Sequence, residues 1–139
     1  MQKLRSVLLV DDDPTNNFLN QRLLKRLNVA DQVVVAENGQ EALALLQPVG
    51  EAPAPTFPTL ILLDIQMPIM NGIEFLQAYQ LLPLAQRSKT TVIVLSTSVD
   101  ARDLSRLDDL PAAGRLNKPL TPEKIASLLK LHFELQLPS

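Results

Sequence analysis

Three consecutive aspartates, Asp11, Asp12 and Asp13, follow the short apolar run 7–10, and Asp64 follows a second apolar run at 60–63. Ser96 comes directly after the run 91–95, and Lys118 lies just beyond a weaker run at 113–116. Two adjacent carboxylates joined by a third repel one another unless a cation sits between them. A ligand set made of oxygen alone selects a hard ion, and Mg2+ accepts a few carboxylates, keeps several waters and takes up phosphate oxygens. The chemistry the carboxylates could share is therefore the holding of a hard cation that can itself take phosphate oxygens, with Ser96 and Lys118 as further polar groups at strand ends. Taken singly, each has a plainer reading: Asp13 before Pro14 is a helix cap, Ser96 another cap, Asp64 a loop acid and Lys118 a solvated lysine.

Convergence depends on the elements that carry them. Short apolar runs alternate with stretches of helical period, the pattern of βα units around a parallel sheet. Five strands are expected, at 7–10, 32–36, 60–63, 91–95 and 113–116, and four of them are rich in Val, Ile or Leu, as strands covered on both faces should be. The first helix starts at Asp13-Pro14 and runs to about Leu27, since Asp caps free backbone N–H groups and Pro suits the first helical position. A second helix follows Asn38-Gly39 through Leu46, a third runs from Gly72 to about Leu82, and a fourth occupies about 101–110. The last begins at Thr121-Pro122-Glu123 and carries Ile125, Leu128, Leu129 and His132 at helical spacing. In such a sheet the carboxyl ends of the strands share one edge, so Asp11, Asp12, Asp64, Ser96 and Lys118 are expected to meet there.

The chain has 139 residues, which suits one domain at 1–139 and leaves no room for a separate output domain. Residues 47–58 include Pro48, Pro53, Pro55 and Pro58 and read as a loop insertion at the amino end of the sheet, away from the chemistry. A net charge of −2 gives no basic field for nucleic acid. The absence of Cys removes disulfides, thiolate metal sites and thiol catalysis. No stretch approaches the roughly 18 apolar residues of a membrane span, and no signal peptide is apparent, so a cytoplasmic location is expected.

The segment Leu62-Leu63-Asp64-Ile65-Gln66-Met67-Pro68-Ile69-Met70-Asn71-Gly72 resembles the phosphoacceptor segment of response regulator receiver domains of two-component systems. Val10-Asp11-Asp12 is similar to the acidic pair of that family, Ser96 to its switch hydroxyl and Lys118-Pro119 to its Lys-Pro pair. The resemblance covers essentially the whole chain in the right order. It implies a doubly wound, flavodoxin-like α/β fold with strand order 2-1-3-4-5. It also implies that Asp64 is the phosphoacceptor, that Asp12 and Asp64 ligate Mg2+ with Asp11 assisting through water, and that the Gln66 backbone carbonyl is a further ligand. Lys118 and Ser96 would contact the phosphoryl oxygens, and a cis Lys118-Pro119 bond is expected. Phosphate hydrolysis would be tuned by Gln66 and Ser98, neither of them acidic or basic. The implied partners are a histidine kinase or histidine phosphotransfer protein and a downstream protein target, with room for a phosphorylation-dependent homodimer.

Two positions depart from the family pattern. Arg115 stands where an aromatic switch residue is usual, and Thr97 where a small residue is common. Leu19, Leu23, Leu24 and Leu27 are read as the buried stripe of the first helix, although Asn20 falls within it, and Phe18 lies roughly opposite, either as a docking contact for the phosphodonor or as a single exposed apolar residue of no consequence. His132, the only histidine, reads as a helix-face residue. Two competing readings follow from the same residues. Asp11-x-Asp13-x-Thr15 matches the nucleophile motif of haloacid-dehalogenase phosphatases, but the acids beyond Lys118 are only Glu123 and Glu134, and Asp64 would go unexplained. The other is a receiver-shaped interaction module that accepts no phosphate.

Overall fold

The computed structural model describes residues 3–46, 58–65, 67, 69–83, 87–96, 110 and 112–135. The strands are β1 (Leu4–Val10), β2 (Ala30–Ala36), β3 (Leu60–Asp64), β4 (Thr91–Ser96) and β5 (Gly114–Asn117). Among them run α1 (Pro14–Arg26), α2 (Gly39–Leu46), α3 (Gly72–Tyr79) and α4 (Pro122–Phe133). The sheet is wholly parallel in the order β2-β1-β3-β4-β5, as expected. Both β1 and β2 start earlier than the apolar runs alone indicated, and α3 closes at Tyr79 with a turn over 80–82. All of the expected helix at 101–110 but its last residue, and nearly all of the Pro-rich segment 47–58, lie outside the described residues, as do Gln66, Thr97 and Ser98.

Side chains of a strand alternate between faces, so each central strand feeds two cores. Leu8, Val10, Ile61, Leu63, Val92 and Val94 point to one side, where α2 and α3 bury Ala42, Leu46, Phe75 and Leu76. Val7, Leu9, Leu60, Leu62, Ile93 and Leu95 point to the other, against Leu24 of α1 and Ile125, Leu128 and Leu129 of α4. Every residue of β3 is buried. Each fully buried Leu or Ile side chain contributes about 1.5–3 kcal/mol, which makes this central strand the firmest support the sheet can offer its last residue, Asp64.

Register brings the strand ends level. Val10 pairs with Ala36 and with Leu63, Asp64 with Leu95, and Ser96 with Asn117. At the opposite edge the Thr59 N–H donates to the Ser6 carbonyl at 3.0 Å, and the Thr91 N–H donates to the Thr59 carbonyl at 2.9 Å. The amino end is therefore tied, and the carboxyl ends of β1, β3, β4 and β5 form one rim.

Candidate functional site

The rim is built where the chain leaves β1, β3 and β5, with Ser96 ending β4 beside them. After β1 the Asp11 N–H donates to the Ala36 carbonyl at 3.1 Å, and one Asp11 carboxylate oxygen accepts the Asp13 N–H at 3.0 Å. Asp13 caps α1, accepting from the N–H groups of Thr15 at 2.9 Å and Asn16 at 3.4 Å, with Pro14 in the first turn. This is the capping role expected of it. Asn17, buried one turn into α1, donates from its side-chain amide to the Asp11 carbonyl at 2.8 Å. Asp11 is therefore held through its main chain from both sides.

After β3, Gly72 lies so close behind the strand that a Cβ there would stand 2.6 Å from the Asp64 carbonyl oxygen and 2.8 Å from Ile65 Cα. Its N–H donates to the Ile65 carbonyl at 2.8 Å. Asn71 caps α3 in a reciprocal box: its side chain accepts the Glu74 N–H at 2.8 Å, and its own N–H donates to the Glu74 carboxylate at 3.1 Å. The Asn-Gly pair thus closes α3 directly beneath Asp64. Between strand and helix Ile69 takes a left-handed backbone with φ 67° and is exposed.

Lys118 joins these strands. Its N–H donates to the Ser96 carbonyl at 2.8 Å, extending the β4–β5 pairing by one step, and the following Lys118-Pro119 bond is cis, as expected. Its ammonium lies 2.9 Å from one Asp11 oxygen and 3.3 Å from one Asp64 oxygen. Burial works against the charged ammonium, yet the Asp11 hydrogen bond and the nearby Asp64 charge outweigh it and hold the Lys118 pKa above its ordinary value. Asp11, Asp64 and Ser96 are buried, whereas Asp12 is exposed at the mouth.

Asp11, Asp12 and Asp64 each bring a carboxylate oxygen within 4.8 Å of the others. One Mg2+ with oxygen ligands at 2.0–2.1 Å spans about 4.2 Å between opposite ligands, so the separation of the three carboxylates is of the size that one ion can bridge. The donor set is hard oxygen throughout, and Asp12 leaves an open side for water or phosphate. Arg115 lies exposed on β5, paired in register with Val94. His132 is partly buried on α4, its ring packed over Gly114.

Sequence and structure disagree at α1. Leu19, assigned to the buried stripe, is 55% exposed, and Asn17 is buried instead. A periodicity count assigns a polar side chain to solvent, but the Asn17 amide has a backbone carbonyl to bind, and that lets it turn inward. Leu24 is buried, Leu23 and Leu27 are partly buried, and Phe18 is 57% exposed as expected. Asn17 is also a supporting residue that the sequence reading missed. Its only sequence signal was an Asn six residues after Asp11, which no spacing rule selects.

This sequence matches the response regulator receiver domain over residues 7–130. The chain belongs to that family. A two-component response regulator of Arabidopsis thaliana, ARR22, is 36% identical over 135 residues, covering 96% of this chain and 87% of its relative. The fold is likewise shared with solved receiver structures. The chemotaxis protein CheY4 of Vibrio cholerae superposes with a TM-score of 0.73 at 27% identity, covering 92% of this chain and 98% of its own. The phosphorylated cyanobacterial phytochrome response regulator RcpA gives a TM-score of 0.76 at 29% identity, covering 97% and 99%. Receiver domains are signalling proteins that work in two-component systems and carry a phosphorylatable Asp. The phosphatase reading gains nothing from these matches, and Asp13, its required second acid, caps α1. Among the described residues of this receiver domain no helix is long and apolar enough to cross a membrane.

Proposed function

We propose that this receiver domain accepts a phosphoryl group on Asp64 from a phosphohistidine of a histidine kinase or phosphotransfer protein, in a Mg2+-dependent reaction. Once phosphorylated, it would signal by contact with a downstream protein. The observation that carries the reading is the Lys118 ammonium set between Asp11 at 2.9 Å and Asp64 at 3.3 Å, beside a cluster of three carboxylates.

In the proposed step an Asp64 carboxylate oxygen bonds to phosphorus while the bond from phosphorus to the donor imidazole nitrogen breaks, its electron pair leaving with the ring. Asp64 ends as a mixed anhydride. Asp12 and Asp64 would hold Mg2+ directly, Asp11 through water, with the Gln66 backbone carbonyl as a further ligand. The ion, when bound, supplies positive charge to the equatorial phosphoryl oxygens. Lys118 supplies a second positive charge and Ser96 a hydroxyl donor. With neither Gln66 nor Ser98 acidic or basic, hydrolysis would depend on how water is admitted and oriented rather than on a strong base. Arg115, exposed on β5, stands where the family usually carries an aromatic switch residue, so an aromatic toggle is not expected here.

The donor would approach over α1. Phe18 and Leu19 are exposed there, with the Arg22 guanidinium 5.7 Å above the Phe18 ring, on the helix that Asp13 begins. The test is intact-protein mass spectrometry with acetyl phosphate. Wild type should gain one phosphoryl group in Mg2+ and none in EDTA, and Asp64→Ala should gain none. Stoichiometric modification of Asp64→Ala would refute the assignment.

A further inference from the structure

Lys124 is the third residue of α4, where the helix carries positive partial charge and a cation is disfavoured. Its backbone N–H is capped by the Thr121 hydroxyl at 3.2 Å. Its ammonium folds back out of the helix and donates to two main-chain carbonyls, Asn117 at 2.7 Å and Pro119 at 3.0 Å. Those carbonyls belong to the residues on either side of Lys118.

The strand that delivers Lys118 needs such support. β5 is a four-residue strand that pairs, among the described residues, only with β4, and its residues alternate between half-buried and exposed. α4, by contrast, is anchored through buried Ile125, Leu128 and Leu129. A side chain rooted on the anchored helix and bonded on both sides of Lys118 passes the helix's rigidity to the loop. Both bonds go to carbonyls and not to the acids, so the effect on the site is indirect.

We propose that Lys124 is a positioning residue that aims the Lys118 ammonium at Asp11 and Asp64. The inference rests on the reading of Lys118 as the phosphoryl-contacting cation. Its geometric part can be tested without phosphate or metal. An ammonium held between two carboxylates is slow to react with amine-acylating reagents, so the labelling rate of each lysine, followed by peptide mass spectrometry on the metal-free protein, reports how well Lys118 is held.

Lys124→Met keeps the aliphatic stem and removes the donors. It should speed Lys118 labelling about threefold to tenfold, the loss expected from one or two exposed hydrogen bonds, while exposed Lys25 and Lys130 label at the wild-type rate. Lys124→Arg, which can still donate, should restore slow labelling. Acetyl phosphate with Mg2+ should phosphorylate Lys124→Met more slowly than wild type by a similar factor. Unchanged Lys118 labelling in Lys124→Met, at a temperature where the variant is folded, would overturn the proposal even if its melting temperature falls, because Lys124 would then only brace the helix start. Should the Met variant fail to fold, Lys124→Gln is read in the same way, faster Lys118 labelling supporting the proposal and an unchanged rate overturning it. Failure of the wild type to be phosphorylated would refute the functional reading, and the labelling result would still decide the positioning.

Discussion

Lys118 is the residue on which the electrostatics of the site turn, because Asp11 and Asp64 are both buried and would repel each other without it. Its pKa is raised on folding, so its contribution to stability is complete below its ordinary value of 10.5 and is lost as pH rises through the folded value. In metal-free buffer, wild type should therefore lose stability more steeply than Lys118→Met above that pH, as measured by denaturant titration; parallel curves would contradict the ion pairing. Gly72 bears on the same site from below. A Cβ 2.6 Å from the Asp64 carbonyl must displace the strand end or the helix start. Gly72→Ala should cost about 1–3 kcal/mol and slow phosphorylation by acetyl phosphate, with calorimetry and rate measurement as the checks. Asp11, Asp64 and Ser96 were legible in the sequence because each directly follows an apolar run, Asp12 because it adjoins Asp11, and Lys118 because Lys118-Pro119 resembles the family's Lys-Pro pair. Asn17 was not, since its inward turn depends on a carbonyl that only the folded β1–α1 connection presents.

At the scale of elements, α1 shows what hydrophobic period can and cannot decide. Leu24 and Phe18 were separated correctly, while Leu19 was placed on the wrong face because four leucines were counted as one stripe and a buried Asn was not considered. Leu24→Ala should cost about 2–5 kcal/mol in thermal or chemical denaturation. Phe18→Ala should cost less than about 1 kcal/mol, chiefly the stacking with Arg22, and should slow transfer from the cognate phosphohistidine protein while leaving acetyl phosphate turnover unchanged. Normal transfer in that variant would remove α1 from the docking surface. The β3–α3 connection offers a second test. Ile69 holds a left-handed backbone that a β-branched side chain adopts at a cost, and it is exposed, so little packing is lost on replacement. Ile69→Asn should stabilise the protein by about 1 kcal/mol in urea titration.

Across the whole molecule, the alternation of apolar runs and helical stretches was enough to read a parallel α/β sheet, because strands buried on both faces must be largely apolar, as β3 is up to its last residue, Asp64. Strand order was a different matter. Composition and period do not distinguish 2-1-3-4-5 from other windings, and that order came from the family resemblance before the sheet displayed it. Element ends were blurred for a physical reason: Leu4 and Ala30 extend their strands through pairing with each other, which neither residue signals alone. The same winding brings Asp11, Asp64, Ser96 and Lys118 from four strand ends onto one rim, and the account stands or falls on Asp64 being the group that is modified. The most direct measurement is borohydride trapping after incubation with acetyl phosphate and Mg2+, which reduces an acyl phosphate to an alcohol and marks its position for peptide mapping. The account predicts conversion at Asp64 alone, abolished by EDTA. Conversion at Asp11 or Asp12 with Asp64 intact would contradict it.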